Sequence, residues 1–523
     1  MPIVQQNSLN TTALVVPDLY VQIVPPQTLL LNGVPTNIIG IVGTATWGPV
    51  NQPVIVATMS DYSVSFGALM PRKYDMGTQV ATAVQQGAQS FRCVRVTDGS
   101  DVAAEATIPG TTAAFTARYT GSLGNQIAAS LSAGSKPGTW KLTIGLPGLH
   151  PEVFDNIGGS SAAFWTNLAA AVNSGIALQR GPSQLVTLAA GGTTVAPAAF
   201  SITLGTAVAG TDGAANVTAA QLVGVDIIPR SGMYALRGQG CAIGLLADAD
   251  DSTQWTAQVQ FGLQEGVYMI LTGPAGDTIA DAVQVKAQVG LDSYAAKLMF
   301  GDWLWWSDQV NNQIRLVSPQ GFVAGRLGNL SPEQSSLNKP LYGVIGSQKS
   351  GAPATGQATS YSAAELAALF SAGIDVICTP QPGGAYWGVR AGHNSSSSVA
   401  IQGDNYTRLT NYIAATLAAG MGQYVGAVIN SDLFAQIRAT LLSFLQAMLS
   451  QGLLGSLDGS LPYSVVCDTS NNPSSRTGLG YVQADVQIQY QGINEKFIVN
   501  LEGGQTVQVS VQTLPTGQPA LGG

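Results

Sequence analysis

At 523 residues the chain is longer than one hydrophobic core usually serves, so about two to four domains are expected. The formal net charge is -8 and the first basic residue is Arg72, which argues against nucleic-acid binding, since phosphate contacts need clustered lysines and arginines. Charged residues make up 10% of the chain, against about 25% in ordinary proteins. Such a surface either lies against other protein molecules or belongs to a β-rich protein with an uncharged polar exterior.

The first hundred residues predict a loop, an extended arm and a small αβ unit. Residues 1–13 are polar and loop-like, whereas residues 14–24 are extended and bracketed by prolines, which favour a sheet edge or a free arm. The αβ unit is predicted from strands at 37–43, 53–58 and 90–97 and a helix at 75–87.

The composition changes at Asp98, where a Gly-, Ala-, Thr- and Ser-rich segment begins. Short alternating runs predict an inserted, mostly-β domain that contains one helix, at 162–173. Beyond it, short apolar runs alternate with helical segments from Cys241 to Pro380, which predicts a mainly parallel sheet covered on both faces.

Three periodicities follow one another in residues 405–501. Asp404 or Asn405 can cap a first helix, and a short strand is predicted at 424–429. Ser431 is a candidate N-cap for a long amphipathic helix that ends at Gly452, and a strand is predicted at 463–467.

The last of these periodicities has a period of two. Apolar residues alternate with a glutamine-rich polar set, so one half-buried strand is expected, with a second strand at 496–501 and helices behind the pair. The edge of the first strand is a candidate acceptor for strands of other subunits; its residues are Val482, Ala484, Val486 and Ile488.

Extended segments near both chain ends have no evident partner in the sequence nearby. In the N-terminal arm, Tyr20 lies on the opposite face from the apolar residues Leu19, Val21 and Ile23. The C-terminal arm alternates more regularly and carries Val507, Val509 and Val511 on one face. Both arms are candidates for strand addition to a neighbouring subunit.

Motifs for catalysis or cofactor binding fail one by one. The chain has no Gly-Lys dipeptide, hence no P-loop, and no Gly-x-Ser-x-Gly elbow to accompany His393. The acidic segment that begins at Asp248 resembles the start of a calcium-binding loop, but it lacks the glycine and the glutamate that such a loop requires. Four separated cysteines predict reduced core residues, and no membrane span is expected. No catalytic residue, metal or cofactor is predicted.

Several stretches resemble the contractile-tail sheath proteins of bacteriophages. The run Pro17-Asp18-Leu19-Tyr20-Val21 resembles the family's opening Pro-Gly-Val-Tyr, with Asp18 in place of glycine. Further matches, in the family's order, are Gly43-Thr-Ala-Thr-Trp-Gly-Pro49, the strand that ends in Arg95-Val96, the helix at 432–452, Val466-Cys467-Asp468, and Glu495-Lys496-Phe497-Ile498. The resemblance covers 14–97 and about 235–511, and the segment between them has none.

The resemblance implies an α/β (α+β overall) multidomain fold. Its α/β sandwich core would include a middle domain likened to subtilisin but without a triad, followed by an αβ C-terminal domain. The expected domains are an arm (1–24), the N-terminal part of the core (25–97), an outer β-rich insertion (98–232), the middle domain (233–400), the C-terminal sheath domain (401–503) and a second arm (504–523).

The resemblance also implies a structural, non-enzymatic role. Subunits of this family stack as hexameric rings around a tail tube and contract to drive the tube through a host envelope. Expected partners are neighbouring sheath subunits, the tail tube protein, and baseplate and tail terminator proteins, without nucleic acid or direct membrane insertion. The expected location is the virion tail, after assembly in the host cytoplasm. The alternatives are a phage-derived bacteriocin or secretion particle and an α/β hydrolase.

Overall fold

The computed structural model describes residues 3–6, 20–23, 31–351 and 359–503, with the backbone alone for the first two ranges. The chain divides into two units, Met1–Gln491 and Gly492–Gly523. The strands are β1 (Ile3–Gln6), β2 (Tyr20–Ile23), β3 (Ile39–Gly43), β4 (Pro53–Val56), β5 (Phe91–Arg95), β6 (Ala103–Thr107), β7 (Ala114–Thr120), β8 (Ala128–Ala133), β9 (Trp140–Gly145), β10 (Glu152–Ile157), β11 (Val186–Ala189), β12 (Phe200–Thr203), β13 (Ile243–Leu246), β14 (Tyr268–Thr272), β15 (Ala296–Met299), β16 (Leu304–Asp308), β17 (Gln313–Val317), β18 (Val344–Ser347), β19 (Ile377–Cys378), β20 (Gly388–Val389), β21 (Tyr463–Val466) and β22 (Asp485–Ile488). The α-helices are α1 (Met59–Phe66), α2 (Met76–Gln85), α3 (Ser161–Ser174), α4 (Ala219–Val223), α5 (Trp255–Glu265), α6 (Ile279–Val289), α7 (Gln320–Gly328), α8 (Ala363–Ser371), α9 (Asp404–Gly420), α10 (Ser431–Ser450) and α11 (Ser474–Thr477).

A six-stranded sheet lies at the centre of the first unit, in the order β15-β14-β13-β3-β5-β4. Neighbouring strands are parallel except at one edge, where β4 runs antiparallel to β5. Strands from before and after the inserted segment therefore share one sheet. The mainly parallel α/β sheet expected from the alternating apolar runs is confirmed.

Helices cover both faces of this sheet, because strands that are apolar on both sides must be buried on both sides. One face packs against α1, α2 and α7, with Tyr62, Val80 and Phe322 in its core. The other face packs against α5, α6 and α8, with Trp255 and Leu369 in its core. The four cysteines are free and buried, as predicted.

Helices α2 and α7 approach each other closely because α7 carries glycines where it meets α2. A Cβ atom on Gly325 would lie 2.5 Å from the Cα atom of Ala83, and one on Gly321 would lie 2.8 Å from the carbonyl oxygen of Gln79. Asp75 caps the N-terminus of α2 by accepting a hydrogen bond from the amide of Thr78 at 2.8 Å. This helix pair fixes one cover of the sheet.

The inserted segment has a hydrophobic core of its own. Two antiparallel sheets, ordered β10-β9-β8-β12 and β11-β7-β6, share one apolar cluster with α3. Phe115, Leu142 and Trp165 are buried in this cluster, which also takes in Trp47 from the loop after β3. The mostly-β character predicted for the insertion, with its single long helix, is confirmed.

Both ends of the insertion meet beside Arg95, at the end of β5. The amide of Asp98 donates to the carbonyl oxygen of Gly213 at 2.7 Å. The buried guanidinium of Arg95 donates to the carbonyl oxygens of Thr120, at 2.6 Å, and Asp212, at 3.0 Å. Burial lowers the pKa of Arg95 to about 10. Arg95 thus links two backbone positions of the insertion, Thr120 and Asp212, to the end of β5 in the central sheet.

The chain rejoins the central core soon after Gly213. Val217, Leu222 and Met233 belong to the same apolar cluster as α5, α6 and α8. The short helix α4 therefore packs with the central sheet although its composition continues that of the insertion.

Strands β16, β17 and β18 form a further antiparallel sheet, which the sequence patterns did not predict in full. Trp306 is buried in the central core and its Nε1 atom donates to Oε1 of Gln85 at 2.9 Å. Trp303 donates to the carbonyl oxygen of Gly273 at 3.1 Å. Trp303 and Trp306 are therefore buried in the core, where the guanidinium of Arg315 lies 5.4 Å from the centre of the Trp306 ring.

The prediction of a strand at 424–429 is wrong. A 3-10 turn, Met421–Tyr424, is followed by an irregular loop in which Gly426 has a φ of 90°. Val425 and Val428 are 86% and 80% exposed, so this apolar run is not a buried strand. Apolar composition alone could not distinguish a strand from an exposed loop in so short a run.

The predicted N-caps of α9, Asp404 or Asn405, and of α10, Ser431, are wrong. Helix α10 is capped by Asn430, whose Oδ1 atom accepts from the amide of Leu433 at 2.8 Å, rather than by Ser431. Helix α9 begins after Gly403 without a side-chain cap. The carboxylate of Asp404 is engaged elsewhere, in a buried ion pair.

The second unit has no regular secondary structure in its described part, residues 492–503. The predicted strand at 496–501 is therefore wrong. A strand exists only where a second strand supplies its backbone hydrogen bonds. The apolar residues of this run are exposed; they are Phe497, Ile498, Val499 and Leu501.

Candidate assembly interface

Strands β21 and β22 form a two-stranded antiparallel sheet in the C-terminal region. Tyr463 pairs with Ile488 and Val466 pairs with Asp485. The ladder is shorter than the predicted strand, so Val482 and Ala484 precede it rather than forming part of it.

The period-two pattern separates a buried face of this segment from an exposed one, as predicted. The inward-facing residues pack against a cluster built on α9 and α10; they are Val482, Ala484, Val486, Ile488 and Tyr490. The alternating polar residues Asp485, Gln487 and Gln489 are exposed. On the other strand, the hydroxyl of Tyr463 hydrogen-bonds Oε1 of Gln446 on α10 at 2.7 Å.

The outer edge of β22 carries the backbone groups of Val486 and Ile488. The amide of Gln489 donates to the carbonyl oxygen of Pro462 at 2.7 Å, which makes this pair a hydrogen-bonded one. Because such pairs alternate in an antiparallel ladder, Gln487 also faces β21, while Val486 and Ile488 direct their N–H and C=O groups away from it. Within the described residues β22 pairs with β21 alone, so this edge is open.

Two asparagines hold the chain where it enters β22. Asn472 exchanges hydrogen bonds with the backbone of Gln483, through Oδ1 at 2.6 Å and Nδ2 at 2.8 Å. Asn471 donates to the carbonyl oxygen of Val466 and to Oδ2 of Asp485, both at 2.9 Å. The edge is therefore presented by a pinned strand.

A buried ionic cluster joins this C-terminal region to the central sheet. Nζ of Lys297, on β15, lies 2.6 Å from Oδ2 of Asp375 and 3.1 Å from Oδ1 of Asp404, at the start of α9. The hydroxyl of Tyr268 donates to Oδ1 of Asp404 at 2.6 Å, and the Ser336 hydroxyl donates to its Oδ2 atom. All five side chains are buried.

The charges in this cluster stabilise one another against the cost of burial. Burial alone would lower the pKa of Lys297, but the charges of Asp375 and Asp404 hold it above its usual value. Burial alone would raise the pKa of Asp404, but Lys297 and the donors around it hold it below its usual value. Burial, together with the charge of Asp404, raises the pKa of Tyr268 well above its usual value. The cluster is an ion-paired brace, with the lysine charged.

This cluster was not predicted from the sequence. Lys297 lies in a short apolar run that is predicted to be buried on both faces. A lysine at such a position indicates a buried ion pair, because lysine is almost never fully buried without a partner. Its two carboxylate partners lie far away in sequence, so no spacing could reveal them.

His393 contributes backbone atoms to the same cluster. Its carbonyl oxygen accepts from Nζ of Lys297 at 2.8 Å, and its amide donates to Oδ2 of Asp375 at 3.3 Å. These contacts give the histidine backbone a structural part in the cluster.

The N-terminal arm contains a strand that pairs within the chain. Tyr20, Val21 and Ile23 belong to β2, which runs parallel to β1. The prediction that residues 1–13 are loop-like is therefore wrong at Ile3–Gln6. Leu19, and the C-terminal arm residues Val507, Val509 and Val511, lie outside the described residues.

Helix α10 is, in the described part of the chain, long and apolar enough to cross a membrane by length and composition. Its apolar stripe is buried in the C-terminal core, with Leu433, Ile437, Leu441 and Phe444 inside. Packing within the protein accounts for the composition of this helix.

The fold is that of contractile-tail sheath proteins. The sheath tail protein of Listeria innocua is similar over 84% of this chain and 90% of its own, with a TM-score of 0.58 and 14% identity. The sheath tail protein of Desulfitobacterium hafniense is similar over 85% of this chain and 93% of its own, with a TM-score of 0.55 and 13% identity. The family resemblance noted in the sequence is thus supported by the fold.

A sheath from an extracellular contractile injection system is also similar. The PVC sheath, in the contracted state, matches over 93% of this chain and 97% of its own, with a TM-score of 0.53 and 12% identity. The sequence itself matches no protein-family model and no curated protein.

Proposed function

We propose that this chain is a sheath subunit of a contractile particle, polymerising as stacked hexameric rings around a tube and shortening to drive the tube through a cell envelope. The observation that carries the proposal is the similarity in fold to sheath tail proteins over 84% and 85% of the chain. A low content of charged residues supports it, because subunits of a polymer lie against one another.

The open edge of β22 is the proposed joint between subunits. A strand added there would form hydrogen bonds with the unpaired backbone groups of Val486 and Ile488. It would also extend the two-stranded sheet of β21 and β22 to three strands. Arms from neighbouring copies, which contain Tyr20–Ile23 and Val507 to Val511, are the proposed donors. A mesh of such joints would keep subunits connected while the polymer shortens.

Electron microscopy of the purified chain tests the proposal. Negative staining should show striated tubes, and uniformly monomeric particles under all assembly conditions would contradict a sheath function. The substitution Val486→Pro removes an outward-facing amide and should abolish tubes, while lowering the melting temperature only through the loss of Val486 packing against α9 and α10.

A matched substitution identifies the edge. Gln487→Pro removes an amide that faces β21, so it should lower the melting temperature of the monomer itself. If the two substitutions affect folding and assembly equally, the outer edge of β22 does not form the joint between subunits.

The remaining partners follow from the proposed role. The tail tube protein would lie inside the sheath, and baseplate and tail terminator proteins would contact its ends. The insertion at 98–232 is proposed to lie on the outside of the particle. We place the mature protein in the tail of a virion, after assembly in the host cytoplasm, with no cofactor and no enzymatic activity.

A phage-derived injection particle is the second candidate, because a PVC sheath has the same fold. Purification of native particles distinguishes the two, since a virion carries a genome-filled head and an injection particle does not. The α/β hydrolase alternative is tested by a broad hydrolase screen of the parent chain and of His393→Ala. Equal results for the two chains would exclude a hydrolase that depends on His393.

A further inference from the structure

Residues 31–38 form a strap that runs along α9 before the chain enters β3. Leu31, at the start of the strap, packs where α9 ends, and a Cβ atom on Gly420 would overlap Cδ2 of Leu31. Further along the strap, the backbone amide of Val34 donates to Oγ1 of Thr416 at 3.3 Å. The strap therefore runs antiparallel to the helix, and it links the N-terminal arm to the central sheet.

Gly33 is a point of very close contact between the strap and the helix. A Cβ atom on Gly33 would overlap the hydroxyl oxygen of Tyr412. Beyond this contact the two segments separate around a cavity of about 190 Å³, which is lined by Pro35 on the strap, Asn411 on the helix and Cys241 just before β13. The position of the strap over this cavity therefore depends on the backbone path at Gly33.

Gly33 follows Asn32 in the only Asn-Gly dipeptide of the sequence. Both residues are exposed and lie in irregular backbone. Among the residues that the structure describes, neither the side-chain amide of Asn32 nor the backbone amide of Gly33 forms a hydrogen bond. The side-chain carbonyl carbon of the asparagine and the backbone nitrogen of the glycine, which has no side chain to shield it, are therefore both free to react with each other.

We propose that Asn32 is a site of spontaneous deamidation, with water as the co-reactant, and that its conversion loosens the strap from α9. The backbone nitrogen of Gly33 attacks Cγ of Asn32 and forms the N–Cγ bond. The Cγ–Nδ2 bond breaks, and the proton lost by the glycine nitrogen leaves with the side-chain nitrogen as ammonia, so that a cyclic succinimide remains. Water then opens the ring at either carbonyl carbon, adding a hydroxyl to that carbon and a proton to the released nitrogen, which gives an aspartyl or an isoaspartyl residue.

The isoaspartyl product changes the backbone of the strap. Its main chain passes through the β-carbon, so the path to Gly33 is longer by one methylene group, and a carboxylate replaces the side-chain amide. With this longer path, the fit of Gly33 against Tyr412 and the hydrogen bond donated by Val34 cannot both be kept. Since residues 1–30 are joined covalently to the central sheet through the strap, the change acts at the root of the N-terminal arm.

A second asparagine in the same strap provides an internal control. Asn37 is also exposed, but the residue that follows it is Ile38. The β-branched side chain of Ile38 shields the nitrogen that would have to attack, and this residue is buried where the chain enters the central sheet. We expect Asn37 to remain unchanged under conditions that convert Asn32.

Ageing of the full chain tests the modification. The protein is incubated at mildly alkaline and at mildly acidic pH and digested, and peptide mass spectrometry locates each asparagine that has become an acid. Asn32 should convert faster than any other asparagine, and faster at alkaline pH, because the attacking nitrogen must lose its proton. An endoproteinase specific for aspartate distinguishes the two products, since it does not cut before an isoaspartyl residue. An unconverted Asn32, or conversion of Asn37 at the same rate, would overturn the proposal.

Labelling of Cys241 tests whether conversion loosens the strap. Iodoacetamide should modify Cys241, which lines the cavity under the strap, several-fold faster in the converted chain than in the fresh one. Cys93, buried in the central core, should react equally slowly in both. Asn32→Gln keeps a side-chain amide but disfavours ring closure, so labelling of this variant should not change on ageing.

A charge-only variant separates the two changes that the reaction makes. Freshly prepared Asn32→Asp adds the carboxylate without the methylene group, so its Cys241 should be labelled as slowly as in the fresh parent chain. Rapid labelling of this fresh variant would show that charge, and not the longer backbone, releases the strap. Equal labelling of Cys241 in the converted and the fresh parent chains would overturn the loosening altogether.

Discussion

Nζ of Lys297 lies 3.1 Å from Oδ1 of Asp404, and neither side chain is exposed to solvent. Lys297 lies on a strand of the central sheet and Asp404 is the first residue of α9, so this ion pair joins the central sheet to α9. Buried charges are tolerated when their partners are present, and removing one partner leaves the other uncompensated. Helix α9 is therefore anchored electrostatically at its first residue.

Lys297→Met should destabilise the folded chain by about 3–5 kcal/mol, because it leaves Asp375 and Asp404 buried beside each other without a counter-charge. Urea denaturation of the monomer measures this change. Lys73→Met is the matched control: Lys73 also pairs with an aspartate, Asp250, but its side chain is 48% exposed. The control should change stability by less than about 1 kcal/mol, and similar losses in both variants would refute the brace.

The stability of the chain should fall between about pH 4 and pH 7 through Asp75. Burial raises the pKa of Asp75 to about 6, although hydrogen bonds from Thr78 oppose the shift. A carboxyl group with a raised folded-state pKa contributes stability that is present below its unfolded pKa and is lost as pH rises through the folded one. The loss from this group is on the order of 3 kcal/mol, and Asp248, with its pKa raised by burial to about 6, acts in the same direction.

Asp75→Asn should remove this contribution while keeping the helix cap, since asparagine caps as well as aspartate. Relative to the parent, the variant should gain stability as pH rises from 4.5 to 7.0, measured by urea denaturation. Asp98→Asn is the control, because hydrogen bonds from Ser100 lower the pKa of that exposed carboxyl group to about 2, outside this range. Parallel pH profiles for Asp75→Asn and the parent would contradict the assignment.

Gly325→Ala should destabilise the chain despite improving helix propensity. Alanine gains about 1 kcal/mol over glycine in a helix interior. Its Cβ atom would meet the backbone of Ala83 at 2.5 Å, and overpacking of this kind costs about 1–3 kcal/mol. A drop in melting temperature is expected, whereas Gly422→Ala, with no atom within 4 Å of its Cβ position, should be nearly neutral. A more stable Gly325→Ala would show that the two helices can separate freely.

Much of the fold could be predicted from the sequence, because its elements carry local signals. The strand Tyr268–Thr272 is one of the short apolar runs from which the parallel sheet was predicted. Helix α10 was found within a few residues from its three- and four-residue spacing. The alternation that ends at Ile488 indicated which face of β22 is buried.

What the sequence could not provide depends on partners distant in the chain. Lys297, Asp375 and Asp404 are brought together by the fold, and no local pattern links them. The strand Ile3–Gln6 has only four residues, two of them glutamines, and it is a strand because Tyr20–Ile23 pairs with it. Conversely, the apolar run that includes Val425 and Val428 looks like a strand but has no ladder.

The C-terminal arm lies outside the described residues, so its role stays a prediction. If it adds to a neighbour's sheet with roughly four to six hydrogen bonds, each at about 0.5–1.5 kcal/mol, one joint contributes a few kcal/mol. Val509→Pro removes a ladder donor and should weaken polymerisation while leaving the monomer's circular dichroism and melting unchanged. Normal tubes from a chain truncated after Gly503 and lacking residues 1–24 would refute the role of both arms.

The rest of the chain should still fold when the residues that form the insertion's own hydrophobic core are deleted. Asp98 and Gly213 are joined by a backbone hydrogen bond, so a short Gly-Ser linker can replace residues 99–212 without moving either end. Trp47 packs in the insertion's cluster and should be changed to Ser in the same variant, because it would otherwise be exposed. Circular dichroism should show a folded chain, and electron microscopy should show tubes, as expected for a domain at a surface loop.

A longer deletion provides the matched comparison. Replacing residues 98–232 also removes Val217 and Leu222, which pack in the central core beside α5 and α6. Losing such buried aliphatic side chains costs about 2–5 kcal/mol each, so this variant should unfold at a much lower temperature than the shorter deletion or fail to fold. Equal melting temperatures for the two deletions would show that residues 213–232 do not support the core. Unfolding of the shorter deletion would show that the central sheet depends on the insertion, through the contacts that Arg95 makes with it.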